Sequence, residues 1–168
     1  MGAAYSQPLK RVHLGAGGKY WPGWINVDVV GDQDVNANVD RLPFESNSVD
    51  EIQCIHLFEH LERMKVAGVL AEWRRVLKPG GRLTMEMPCL DAVVAMLYAG
   101  EKNMRMTLFA LYGDPRYESP FMAHKWCWSR RELGEQLAES GFDEVEFDTP
   151  KFHIPARDMR VTALKGQR

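Results

Sequence analysis

A chain of 168 residues, 45% hydrophobic and 26% charged, is sized and composed for a single globular domain, 1–168, able to bury roughly 70% of its unfolded surface. Its formal net charge of −2 provides no broad cationic footprint, which speaks against nucleic acid as a partner. Cys54, Cys89 and Cys127 form no CxxC pair and no run of 18 apolar residues occurs, so the composition excludes a disulfide framework, a cysteine zinc site and a membrane span, and sets the expectation of a cytoplasmic protein.

In chain order, apolar runs alternate with helical patterns, the arrangement of an α/β protein with a mostly parallel sheet. Arg11 to Leu14, Trp24 to Val29 and Val49 to Ile55 read as strands. Val66, Val69, Leu70, Trp73, Val76 and Leu77 keep helical spacing and predict a helix over 65–77. Lys78-Pro79-Gly80-Gly81 stops it, since proline cannot continue a helix and glycine accepts the left-handed conformation. Arg82 to Met87 follows as a buried strand. The segment from about 101 to 128 carries mixed signals and reads as an insertion with its own short helix. Ser129 and Glu132 form a capping box for a helix that Gly141 closes, and Val145 to Phe147 and Met159 to Leu164 predict a last strand pair.

The first of these junctions, "LGAGGKYWPGWINVDVV" at 14–30, carries the clearest chemistry. Gly15 and Gly17 let the backbone turn sharply after the first strand and approach a ligand with no Cβ in the way. Asp28, ending the second strand, is placed to accept hydrogen bonds from ribose hydroxyls. Only about eight residues separate Gly15 from Trp24, whereas a parallel crossover normally uses a dozen or more. The first helix is therefore expected to be shortened or missing, leaving Lys19 or the backbone of Gly17 and Gly18 to hold an anionic group. A dinucleotide-dependent dehydrogenase is disfavoured, because Tyr20 stands where the third glycine of GxGxxG belongs.

Four stretches together resemble the class I S-adenosylmethionine-dependent methyltransferases: "HLGAGG" at 13–18, "INVDVV" at 25–30, "LPFESNSVDEIQCIHLFEHL" at 42–61 and "EWRRVLKPGGRLTMEMP" at 72–88. The resemblance covers nearly the whole chain and is closest to small members without extra domains, some of them associated with glycan assembly. It implies a Rossmann-like, doubly wound, mostly parallel seven-stranded sheet with an antiparallel last strand. It also implies S-adenosyl-L-methionine as cofactor, held by Leu14, Gly15, Gly17, Asp28 and Val29, with Asp40 at the adenine amino group, Leu42 against its ring, and His56 facing both cofactor and acceptor.

"HLFEH" at 56–60 spaces His56, Glu59 and His60 at i, i+3 and i+4, so on a helix they share a face. The block resembles the ExxEH metal block of some RNA and quinone-precursor O-methyltransferases, with histidine in place of the first glutamate, and His124 is a conceivable fourth ligand. The expectation nonetheless is no metal, with His60 as a brace and His56 or His124 as general base. "LYGDPRYESPFMAHKWCW" at 111–128 combines aromatic rings with basic groups, which suits a sugar-like acceptor stacked on apolar faces. Arg116, Tyr117 and Trp126 are the expected acceptor contacts. The expected function is methyl transfer to a small polar acceptor, a hydroxyl of a sugar or glycan precursor. A non-catalytic cofactor-binding scaffold and a metal-dependent O-methyltransferase using the HxxEH block are the alternatives. The oligomeric state stays open, a homodimer being one option.

Overall fold

The computed structural model describes residues 8–100 and 104–167. Strands β1 (Arg11–Leu14), β2 (Ile25–Asp28), β3 (Val35–Asn36), β4 (Val49–Ile55), β5 (Leu77–Pro88), β6 (Phe142–Asp148) and β7 (Asp158–Lys165) form one sheet in the order β3-β2-β1-β4-β5-β7-β6. Neighbours from β3 to β5 pair in parallel, while β7 runs antiparallel to β5 and β6. This is the expected sheet. Among the described residues four α-helices accompany it: α1 (Val66–Val76), α2 (Leu90–Tyr98), α3 (Met104–Tyr112) and α4 (Arg130–Glu139).

Register sorts the sheet into two chemically different faces, because residues paired across strands point the same way. Val12 pairs with Ile25 and Ile52, Ile52 with Leu83, and Leu83 with Ala163, so these share one face. Leu14, Val27, Cys54, Met85 and Val161 extend that face two residues on. The stripe of Val66, Val69, Leu70, Trp73 and Val76 on α1, and Leu133 and Leu137 on α4, bury against it in one core. The opposite face reads Asn26, His13, Gln53, Thr84, Thr162 across the sheet and is polar throughout that row.

No α-helix lies between β1 and β4 among the described residues, so the absence expected for the first crossover extends to the next two. A side chain takes over the organising role. Asn26, with no exposed surface, accepts from the Trp21 amide at 2.9 Å and donates to the Trp21 and Trp24 carbonyls at 3.1 Å each and to Asp34 at 3.0 Å. Its own amide donates to Asp34 at 2.8 Å, so one asparagine ties both flanking crossovers to the strand between them. Trp21 stacks on buried His13 with ring centres 4.0 Å apart, and Phe152 from the β6–β7 loop lies 5.0 Å beyond. Two loops thus tile part of the polar face where helices are missing.

Most predicted boundaries fall within two residues of those observed. The exceptions are β6, which begins at Phe142 rather than Val145, and β5, which begins at Leu77 rather than Arg82: Leu77 pairs with Val49 and Arg82 with Glu51, and Lys78 to Gly81 bulge out between them. Gly80 adopts φ +74 there, the left-handed turn its residue type predicted. Ser129 caps α4 by accepting from the Glu132 amide at 3.1 Å, and Gly141 follows at φ +81. The inserted segment contains α3 and a short turn at Pro120–Met122, while 101–103 lie outside the described residues. Among the described residues no helix is long and apolar enough to cross a membrane.

Candidate active site

The carboxyl ends of β1 and β2 bring the expected cofactor residues together. Gly15 adopts φ +72, and a Cβ there would meet Leu57 Cβ at 2.8 Å, so the turn can close against the segment after β4 only as glycine. Gly17, at φ +52, has no atom within 4 Å of a Cβ position; it faces open space. Its amide donates to Asp28 Oδ2 at 2.8 Å. Asp28 Oδ1 accepts from the Val29 and Val30 amides at 2.7 and 3.1 Å, and Gln33 reaches across to the Gly17 carbonyl at 2.7 Å. Open backbone at Gly17 and Gly18 beside a strand-end carboxylate fits a nucleoside with an anionic tail. Oδ1 already holds two amides and Oδ2 one, so Oδ2 keeps a lone pair for a ribose hydroxyl.

The other expected cofactor contacts divide. Leu14 is fully buried and Val29 half-exposed, so the first contributes backbone at the strand end and the second a surface beside Asp28. Leu42 is corrected: it is 3% exposed within the hydrophobic core, and its amide donates to Glu72 at 2.8 Å, so it cannot lie against a ligand ring. Asp40 is exposed in an open groove of about 760 Å³ with Asn38, Arg41, Met64 and Lys65, a lining that contains none of the glycine turn.

His56 leaves β4 with φ +52, an uncommon backbone for a non-glycine residue, held by its amide donating to the Glu86 carbonyl at 2.8 Å. Its Nδ1 lies 2.8 Å from Glu59 Oε1, and its Nε2 lies 3.3 Å from Asp158 Oδ2 without hydrogen-bond alignment. Burial opposes the charge, but the two carboxylates override it and raise His56 to about 9. The expected general base is therefore an imidazolium at neutral pH, with no lone pair to accept a proton. Asp158 is itself held to about 2: its burial is outweighed by His56 and by Arg157, which grips it at 2.6 and 3.0 Å.

The three residues of the HxxEH block do not share a helix. Phe58–His60 is one 3₁₀ turn, and His56 stands outside it on the other side of Glu59. His124 takes the vacated place: Glu59, His60 and His124 each offer a ligand-type atom within 4.8 Å of the others. The insertion docks here, since the Lys125 and Trp126 amides donate to the Glu59 carbonyl at 2.8 and 3.2 Å. Burial holds His124 below its ordinary pKa.

The expected acceptor contacts are spread over the insertion. Tyr117 is 59% exposed and lines a cavity of about 340 Å³ made only of residues 108 to 123. Arg116 is exposed, but its guanidinium is committed to Asp114 at 3.0 Å through Nε. Trp126 donates its indole N–H to Glu132 at 3.1 Å and lies under Arg63. His153 and the carboxylates Glu86 and Asp158 stood outside the sequence reading. They meet the site through the β6–β7 loop, and no local spacing could have revealed them.

Comparison with known proteins agrees with this geometry. Residues 22–85 match the family described as methyltransferase domain. A ubiquinone/menaquinone biosynthesis C-methyltransferase from Rhizobium rhizogenes is 31% identical over 122 residues, which cover 67% of this chain and 45% of that protein. An uncharacterised protein of Methanocaldococcus jannaschii is 33% identical over 63 residues, 38% of this chain and 27% of its own. The chain thus spans less than half the length of either relative. An S-adenosylmethionine-dependent methyltransferase from Methanosarcina mazei superposes with TM-score 0.68 at 18% identity, covering 98% of this chain and 96% of that one. A 1,6-didemethyltoxoflavin-N1-methyltransferase from Burkholderia thailandensis, solved with S-adenosylhomocysteine, superposes with TM-score 0.64 at 16% identity over 95% and 72%. Residues 22–85 thus carry a methyltransferase-domain match, and the strand order with its antiparallel last strand gives the chain the fold of the S-adenosylmethionine-dependent methyltransferases on which it superposes.

Proposed function

We propose that the protein binds S-adenosylmethionine along Gly15, Gly17, Gly18 and Asp28 and transfers its methyl group to a small polar acceptor, a hydroxyl of a sugar or glycan precursor. The observation that carries this reading is the contact of the Gly17 amide with the Asp28 carboxylate at 2.8 Å, which locks turn and acid together beside open space. Leu14 and Val29 flank that surface. Lys19 is the cation near enough to His13 and His153 to act on both, and it replaces the missing helix terminus as partner for the methionine carboxylate. Transfer from a sulfonium is an in-line displacement, so the protein's main contribution is to position the acceptor. A hydroxyl must also lose a proton. His124 supplies the lone pair: its Nδ1 donates to the Ala110 carbonyl at 2.8 Å, leaving Nε2 free. The aromatic lining that Phe109 and Tyr112 share with Tyr117 supports a carbohydrate-like acceptor.

Calorimetric titration with S-adenosylmethionine, S-adenosylhomocysteine and NAD tests the reading. The first two should bind and NAD should not. Asp28→Ala should weaken binding by about 1.5–3 kcal/mol, the cost of losing a charged acceptor. Gly17→Ala should also weaken it, both because its new Cβ enters the space assigned to the ligand and because a side chain is strained at φ +52. Unchanged affinity in both variants would sink the cofactor assignment. Tight binding without turnover on any hydroxylated acceptor would favour a scaffold, a reading supported by the lack, among the described residues, of an α-helix between β1 and β2.

A further inference from the structure

Glu59 is 1% exposed, and its two oxygens are treated differently. Oε1 accepts from His56, whereas Oε2 is buried with no hydrogen-bond partner. An unpartnered buried carboxylate oxygen is costly, so its surroundings decide what it is for. Those surroundings are His60 and His124, with rings edge to face and centres 4.8 Å apart.

Both imidazoles are set in the same tautomer. His60 Nδ1 lies 3.1 Å from the Ala123 carbonyl and His124 Nδ1 lies 2.8 Å from the Ala110 carbonyl. A carbonyl only accepts, so each Nδ1 carries the proton and each Nε2 keeps its lone pair. Backbone carbonyls that fix the ring in this way are the usual outer support of a metal-ligating histidine. The three ligand-type atoms lie within 4.8 Å of one another, and ligands of a tetrahedral ion with bonds near 2.1 Å stand about 3.4 Å apart. Closing the difference takes side-chain movement alone, in two imidazoles that are half-buried rather than locked in the core.

We propose that Glu59, His60 and His124 form a divalent-cation site of zinc type, with two imidazole nitrogens, one carboxylate oxygen and an open fourth position. The donor set matches three-ligand zinc sites that keep a place for water or substrate. It differs from the set suggested by sequence spacing, because His56 serves as the hydrogen-bonded support of Glu59 and His124 enters from the insertion. The site stands whether or not the methyl-transfer reading holds. If both hold, the lone pair assigned to proton acceptance by His124 is given to the ion, and an acceptor oxygen at the fourth position is acidified by the cation instead.

The test is a zinc titration of chelator-stripped protein against a chromophoric competitor, with S-adenosylmethionine titrated in parallel. Wild type should bind one zinc ion per chain. His124→Ala and His60→Ala should each weaken zinc more than ~10-fold, while His153→Ala should not. Should His124→Ala fail to fold, His60→Ala at its less central position carries the comparison. Zinc binding that is equal in wild type and both variants, or that disappears in His153→Ala alone, overturns the site. S-adenosylmethionine binding to stripped protein separates that failure from any failure of the cofactor assignment.

Discussion

Asn26→Ala should lower the melting temperature by roughly 10 °C and abolish measurable binding of S-adenosylmethionine. The residue has no exposed surface, and its side chain serves the Trp21 amide, the Trp21 and Trp24 carbonyls and Asp34. It also meets His13 Nδ1 at 3.2 Å. Removing it strands several buried groups at about 1–3 kcal/mol each, part of which water recovers through the opened loop. A net loss of ~3–4 kcal/mol corresponds to that shift at 2–4 °C per kcal/mol in a chain of this size. The binding effect follows from connectivity: residues 15–24 have no helix to hold them, and Asn26 fixes the far end of the turn that begins at Gly15. Asn26→Asp should fare no better, because it replaces the donor to Asp34 with a second carboxylate. Thermal unfolding and calorimetry check both arms. An Asn26→Asp protein of native stability would show that the donors are dispensable.

This crossover also marks the limit of what the sequence made legible. The glycine turn, the strand-end acid and the shortness of the connection are local, and each was readable from spacing. So were β1, β4 and α1, whose periodicities are unbroken. The replacement for the helix was not, because Asn26 looks like one polar residue inside an apolar strand until its partners at 21, 24 and 34 are folded around it. Leu42 was misassigned for a related reason: an apolar residue before proline reads equally well as ligand surface or core. Only the clamp of Glu72 on its amide and Arg75 on its carbonyl shows it to be core. His56 was read as a general base because one of the two carboxylates that charge it, Asp158, lies about a hundred positions away. Two-residue β3 and the onset of β5 within a helix-stop motif left no periodic trace at all.

Glu86 carries the other large expected effect, and here the energetics separate two roles. Its carboxylate is fully buried on the polar face of β5 and accepts from Arg160 at 2.6 Å. It also accepts from the amides of Lys151 and Phe152 at 2.8 and 3.0 Å. The first contact neutralises a guanidinium that is only 8% exposed; the other two hold the β6–β7 loop across the sheet edge beside His56. Glu86→Ala leaves that cation uncompensated and should cost about 3–5 kcal/mol. The double variant Glu86→Leu with Arg160→Met removes both charges at similar volume and should recover most of the ion-pair loss. It should not recover the loop, because the two amides still lack an acceptor. The double variant is therefore expected to melt near wild type yet to be cut by trypsin at Lys151, where wild type resists. It should also lose the Trp21 to Phe152 contact that closes the polar face over His13. Methyl transfer should fall with the loop, while cofactor binding at Gly17 and Asp28 changes little. If the double variant resists trypsin as wild type does, the loop is held by something other than Glu86, and the coupling of this buried charge to the site is wrong.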